Sequence, residues 1–350
     1  MHTDIAIIGG GPIGIELAVA IKKAGLDYIH FEAQQIGHTI SWFAEQTRFF
    51  SSPERIGIAG VPLQTIDQSK ATREEYLTYL RTVVRQFDLK INTYERVEDV
   101  QPQAQGGFCL RTRSRRGEHQ YTADKIILAI GDMHRPQLLN IRGEDLPHVS
   151  HYFDSPHKYF NTDVLIVGGK NSAVEAAIRC YRAGAQVTIS YRRGEFDPKR
   201  VKYWLTPEIN WLIKHKKIQF LPNTVPVEIR PDAIVLAQAD GEGNPTGNTQ
   251  EHSPEFVLLL TGYEQDSSLY ERIGIQLEGA GRKPAYNGKT METNVQGVFV
   301  AGTGTAGTQL GGVREFIETA HIHVDRIVAA LTGAPAPTED EAAEASFPES

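Results

Sequence analysis

Cysteine is scarce in this chain: Cys109 and Cys180 are the only two among 350 residues. They lie too far apart for a CxxC pair, so no dithiol motif and no disulfide framework is implied, and both read as small buried side chains. A basic excess is missing too. Lys and Arg number 36 against 43 Asp and Glu, a net charge of −7, which argues against nucleic acid or an anionic membrane as partner. Long apolar runs are absent: IILAI (126–130) and FVLLL (256–260) are five residues each, whereas a membrane span needs about 20. The first strand starts almost at once with no charged region ahead of an apolar stretch, so a signal peptide is not expected and the chain reads as cytoplasmic. No metal is expected. His321 and His323 are the closest histidine pair, and two residues apart on a helix they do not share a face.

What the sequence does contain is a repeat. DIAII (4–8), DYIHFE (27–32), DVLIV (163–167), QVTIS (186–190) and GVFVA (297–301) read as strands. GIELAVAIKKAG (14–25) and SAVEAAIRCYRAG (172–184) read as helices, each ending in a glycine suited to a left-handed cap. Strand, glycine turn, helix, strand is the βαβ pattern of a doubly wound parallel sheet. The two units superpose without a gap: Gly9 on Gly168, Gly14 on Ala173, Glu16 on Glu175, Gly25 on Gly184. Two such units suggest two nucleotide cofactors. Residues 222–254 read as further strands with a polar hairpin, ADGEGNPTGN. The tail 334–350, rich in Pro, Ala and acid, reads as disordered.

The first turn, Gly9-x-Gly11-x-x-Gly14, carries a specific expectation. Gly9 makes the tight turn, Gly11 lets a pyrophosphate approach the backbone, and Gly14 lets helix and strand pack closely. The helix amides then face the diphosphate, and Glu32, ending the next strand, offers a carboxylate to ribose hydroxyls. The second turn, Gly168-x-Lys170-x-x-Ala173, puts a lysine at the second glycine position. At the spacing that gives Glu32 in the first unit stands Tyr191, followed by Arg192 and Arg193. Losing an acid and gaining guanidiniums suits a 2′-phosphate. The first site therefore suits the ADP half of FAD, and the second suits NADPH.

From these motifs the chain resembles the two-dinucleotide-domain flavoproteins of the thioredoxin-reductase-like branch. IILAIGDMHRPQLLNIRG (126–143) resembles the crossover motif leaving the FAD domain, FVLLLTGY (256–263) its NADPH counterpart, and TNVQGVFVAGTGTAG (293–307) the late FAD motif reaching the ribityl chain. Within the branch it is most similar to the bacillithiol-disulfide reductase family, over roughly 1–330. FFSSPERIGIAGVP (49–62), the helix TREEYLTYLRTVVRQFDLKINTYERV (72–97) and SHYFDSPHKYFNTDVLIVGGKNSAVEAA (150–177) carry that likeness.

The resemblance implies an α/β protein with two Rossmann-like, three-layer dinucleotide-binding domains. The FAD-binding domain would take 1–145 and 268–333, with the NADPH-binding domain (158–262) inserted and linkers near 140–160 and 262–270. It implies flavin neighbours in SWFAEQTRFFSS (41–52), with Trp42 against the ring system and Thr47 donating to it. Further cofactor contacts would come from Pro12, Ile13, Ala33, Val97, Ala129, Gly131, Asn171, Ser172, Gly262, Gly302, Thr303 and Arg314. A homo-oligomer is expected as well. Two departures stand out. The late motif ends in Gly302-Thr303 where relatives have Gly-Asp. Ile13 occupies the place of a cysteine proposed as redox-active, and an aliphatic side chain forms no mixed disulfide.

The expected function is an FAD-dependent, NADPH-oxidising reductase that passes electrons to a small disulfide, another small molecule or a small protein, with no dithiol of its own. A flavin-dependent NADPH monooxygenase and a non-enzymatic flavin or NADPH sensor are the alternatives.

Overall fold

The computed structural model describes residues 1–310 and 314–335, so the tail from 336 onward lies outside the described residues. The chain divides into two compact units. One comprises 1–41, 46–135 and 263 onward, and the other 42–45 and 136–262. The second is thus set into the sequence of the first.

The first unit is organised by the strand His2–Ile8. It pairs in parallel with Tyr28–Glu32 on one side and with the far half of Gly117–Leu128 on the other. Ile91–Thr93 extends the sheet beyond Tyr28–Glu32, and Val298–Val300 pairs in parallel with residues 126–128. The near half of Gly117–Leu128 instead runs antiparallel to Phe108–Ser114, which pairs with Glu95–Pro102. The first-unit strands Ala6, Ile8, Phe31, Ile126, Leu128 and Val300 share one apolar cluster. Such near-continuous apolar runs mark strands covered on both faces.

Helix Pro12–Lys23 starts with proline at its first turn, where the missing N–H costs nothing. Its end is followed by Gly25 at φ +72°, and Gly184 does the same in the second unit at φ +95°. The helix read over 72–97 is shorter than expected. It opens with a capping box at Thr72 and Glu75 and spans Arg73–Gln86. Asp88 then takes φ +46°, which no helix continues, and residues 91–93 and 95–102 become strands. Ile91 to Thr93 gain more from pairing with His30 to Glu32 than from helical propensity.

The second unit repeats the plan in a five-stranded parallel sheet. Its order is Gln219–Pro222, Gln186–Tyr191, Asp163–Val167, Phe256–Leu259, Val149–Ser150. Helix Asn171–Arg182 packs Val174, Ala177, Ile178 and Cys180 into a cluster with Val164, Ile166 and Ile189. Thr224–Arg230, Ala233–Ala239 and Pro245–His252 form a separate antiparallel sheet, whose second hairpin turns at Asp240–Asn244.

The closing helix of the first unit, Ile317–Thr332, is tied down by His321. Its Nδ1 lies 2.7 Å from Glu16 Oε2 and its Nε2 lies 3.0 Å from the Arg55 carbonyl. Both partners accept, so the two contacts together favour the doubly protonated ring. Burial opposes that charge, but the Glu16 bond and charge, the Arg55 carbonyl and Glu318 outweigh it and raise the pKa above the usual 6.5. A raised folded pKa means the contact contributes fully below about pH 6.5 and is lost as pH rises through the folded value. His321→Gln should therefore lower the melting temperature most near about pH 6, with the gap narrowing as the pH rises above about 6.5. A gap independent of pH would contradict this account.

Candidate functional site

At the first glycine turn the backbone leaves no room for side chains except where a ligand needs space. Gly9 has φ +114°, and a Cβ there would lie 2.2 Å from the Ala129 carbonyl. A Cβ on Gly14 would lie 1.9 Å from the Gly9 carbonyl oxygen, so only glycine lets the helix begin this close. At Gly11, the residue preceding the helix, a Cβ would meet nothing within 4 Å. The open space lies where the helix amides point, which suits a diphosphate.

Glu32 stands beside this space with both oxygens engaged. Oε2 accepts from the Gly10 amide at 2.6 Å and Oε1 from the Gln34 amide at 2.7 Å. The carboxylate is thereby fixed while keeping lone pairs for ribose hydroxyls. Beneath the turn, buried His30 sets Nε2 2.8 Å from the Gly9 carbonyl. Burial drives its pKa down to about 4, against the pull of that carbonyl, so the ring is neutral and donates. Neither Gly10 nor His30 was expected from spacing. The middle glycine of GGG is the only trace of the first.

Two further loops meet the mouth of the turn. Ala129, whose amide bonds to the Ile8 carbonyl at 2.8 Å, leads to Gly131 at φ +72°. Gln265 donates to the carbonyls of Gly131 (2.9 Å) and Gly304 (3.0 Å), joining the crossover and late motifs. The Gly302 amide donates to His323 Nδ1, so His323 and His321 do serve different partners. Ile13 is buried, and a Cβ on Gly302 would sit 3.5 Å from its side chain. At the cysteine position the chain thus carries a packing contact.

Thr303 donates to Asp132, a carboxyl whose pKa burial raises although Thr303 and Gln309 pull it down. The Gln309 amide nitrogen is 2.8 Å from Asp132 Oδ2, and its oxygen accepts from the Arg314 amide at 2.6 Å. A carboxyl therefore stands next to Thr303 after all, supplied by the residue after Gly131. No sequence signal distinguished it.

The second turn follows the first in backbone and departs from it in charge. Gly168 has φ +145°, and a Cβ there would lie 2.5 Å from the Leu260 carbonyl and 2.9 Å from Ala173 Cβ. Lys170 takes the place of Gly11, directly before helix Asn171–Arg182. Tyr191 replaces Glu32 in space as well as in sequence. A Cβ on Gly169 would strike its ring at 2.3 Å, just as one on Gly10 would strike Glu32. Arg192 and Arg193 are exposed beyond it. Arg193 is 3.6 Å from Asp197, and the Arg192 stem lies over Gly243 of the polar hairpin. Asn171 spends its side-chain oxygen on the Lys202 amide at 2.8 Å, while Ser172 is exposed.

The remaining expected residues have plainer settings. Trp42 falls in the 42–45 stretch grouped with the second unit, edge-on to Tyr152 at 5.6 Å. The Thr47 carbonyl accepts from the Arg73 amide at 2.8 Å. Val97 is packed in the first-unit core, and Ala33 is half-buried after Glu32. Gly262 has φ +111° and accepts from the Gln137 amide. Cys180 is buried in the second-unit core. Burial above all pushes its thiol up to about 12, so it is inert. Cys109 lies in the strand Phe108–Ser114, away in sequence from both turns, beside the Gln120 amide.

Two α/β units, each with a glycine turn feeding a helix, one marked by a carboxylate and one by cations, define a two-dinucleotide protein. A family model described as pyridine nucleotide-disulphide oxidoreductase matches residues 6–302. Bacilliredoxin reductase Bdr of Bacillus subtilis (strain 168) is 34% identical over 325 residues, 93% of this chain and 96% of that protein. The solved bacillithiol disulfide reductase Bdr from Bacillus cereus is 33% identical with TM-score 0.88, over 96% of this chain and 100% of that one. A flavin-containing monooxygenase from Stenotrophomonas maltophilia is 19% identical with TM-score 0.66, over 94% of this chain and 99% of that one. That last likeness shows the fold alone. The chain belongs to the pyridine nucleotide-disulphide oxidoreductase family. It is an oxidoreductase, a flavoprotein of the thioredoxin-reductase-like group, and membership implies FAD and NADPH as cofactors.

If Glu32 holds the FAD ribose, Glu32→Gln should weaken FAD binding about tenfold, since hydrogen bonds to charged groups contribute roughly 1.5–3 kcal/mol. The check is the flavin-to-protein ratio after purification, with the dissociation constant of the apoprotein. An unchanged constant would remove Glu32 from the site.

Proposed function

We propose that the protein is an FAD-dependent reductase that oxidises NADPH and delivers the electrons to a small disulfide or another small or protein acceptor, without a thiol of its own. The exchange of Glu32 for Tyr191-Arg192-Arg193 at equivalent positions carries this reading. The acid favours ribose hydroxyls in the first site, and the guanidiniums favour a 2′-phosphate in the second. FAD goes to the first unit and NADPH to the second.

FAD held in the first unit would supply the two-electron chemistry that links NADPH to the acceptor. The protein's own residues align and shield. Gly9, Gly11 and Gly14 admit the FAD diphosphate to the helix amides, Glu32 orients its ribose, and buried Ile13 closes the turn against Gly302. With a disulfide acceptor, NADPH, one proton and the disulfide yield NADP⁺ and two thiols. Support for a disulfide comes from the relatives named bacilliredoxin reductase and bacillithiol disulfide reductase. Support for electron delivery without a protein thiol comes from Ile13 and from the settings of Cys109 and Cys180. A cytoplasmic homo-oligomer belongs to the same reading. Among the described residues no helix is long and apolar enough to cross a membrane.

Two experiments test the reading. The double variant Cys109→Ser with Cys180→Ala should keep NADPH-dependent acceptor reduction within about twofold, because one change is nearly isosteric and the other is a one-atom truncation in the second-unit core, away from both glycine turns' ligand space. A loss of turnover with flavin reduction intact would reinstate a thiol relay. Replacing Arg192 and Arg193 together by Gln should raise KM for NADPH about tenfold or more and leave NADH little changed, as expected for lost charge-assisted bonds. Equal effects on both nucleotides would move the 2′-phosphate elsewhere.

A further inference from the structure

Lys170 and Arg200 raise a question that the 2′-phosphate does not answer. In the first unit the residue before the helix is Gly11, and the space where its Cβ would stand is open. In the second unit that position is Lys170, half-buried, with no side-chain cap bond. A lysine stem there narrows the backbone approach that a diphosphate uses, so something else must receive the charge.

Arg200 is brought to the same place by a stitched loop. The amides of Arg200 and Val201 donate to the Asp197 carbonyl at 2.8 and 3.0 Å. The Lys202 amide donates to Asn171 Oδ1 at 2.8 Å, fastening the loop to the first residue of the helix. Asp197 then grips Arg200 at Nε, 3.1 Å away, while also facing Arg193 at 3.6 Å. Burial lowers the Lys170 pKa most, and among the guanidiniums Arg200 acts on it ahead of Arg192 and Arg193. The Lys202–Asn171 bond thus brings Arg200, two residues earlier in the loop, toward the helix start that Lys170 immediately precedes. Of the four cations Lys170, Arg192, Arg193 and Arg200, two, Arg193 and Arg200, share one carboxylate, Asp197. Among the described residues no carboxylate lies within ion-pair distance of Lys170 or Arg192.

We propose that Lys170 and Arg200 form a side-chain clamp on the diphosphate of the nicotinamide nucleotide, replacing the backbone cradle that Gly11 provides in the first unit. Arg192 and Arg193, beyond Tyr191, keep the 2′-phosphate. Two cations match the two negative charges of a diphosphate, and the helix amides complete the site. Asp197 is the positioning residue that aims Arg200. The inference rests on the second unit as the pyridine nucleotide site, and it divides that site's cations into two jobs.

The test is calorimetric titration of the oxidised FAD-loaded protein with NADP⁺ and with NAD⁺. Arg200→Gln should weaken both about tenfold and leave their ratio unchanged, because the diphosphate is common to both. Arg193→Gln should lower the preference for NADP⁺ while sparing NAD⁺. Lys199→Gln, removing an exposed neighbouring charge, should change neither. Lys170→Met should repeat the Arg200→Gln pattern, and it decides the matter if Arg200→Gln fails to fold. The clamp is overturned if Arg200→Gln weakens NADP⁺ alone, or weakens neither, or matches Lys199→Gln. A wild-type protein that binds both nucleotides equally would instead overturn the 2′-phosphate assignment, with the Arg200 arm still deciding the clamp. One that binds neither would overturn both.

Discussion

The Gly9 carbonyl is the point on which the first unit turns. It faces a helix so close that a Cβ on Gly14 would lie 1.9 Å away, and the Nε2 of a neutral, buried histidine meets it at 2.8 Å. That contact fixes where helix Pro12–Lys23 begins, hence where its amides point and where Gly11 leaves space. Glu32 is positioned by the same turn, through the Gly10 amide. The diphosphate and ribose sites are thus two consequences of one steric constraint. The second unit keeps the constraint at Gly168 and changes the lining.

Much of this was legible because steric needs write themselves as glycines. The strands of both βαβ units, their helices and the glycines closing them lie where the repeat placed them, within a few residues at the ends. Charge was legible too, since one unit has an acid where the other has a tyrosine followed by two arginines. Contacts made across sequence distance left no such trace. Asp132 reaches Thr303 only because residues 126–128 and Val298–Val300 are paired strands. The loop of Arg200 comes to the start of the second helix only because Asn171 holds the Lys202 amide. The helix read over 72–97 failed at Asp88 for a related reason, as the pairing of Ile91–Thr93 with Tyr28–Glu32 overrides local propensity.

The two units divide labour by electrostatics on one backbone plan. Where a carboxylate pinned by two amides stands in the first, an aromatic ring and exposed guanidiniums stand in the second. The protein's cysteines take no part in either turn, and the position between Pro12 and Gly14 is given to packing against Gly302. An account built this way assigns electron transfer to the cofactors, and positioning, charge matching and closure to the protein.

Anaerobic titration of the purified flavoprotein with NADPH, followed in the visible flavin spectrum, tests that assignment most directly. The account predicts that the oxidised flavin bands bleach with about one NADPH per flavin, and that NADH does far worse because it lacks the 2′-phosphate. A flavin that stays oxidised under excess NADPH, or a protein that never takes up FAD, would contradict it.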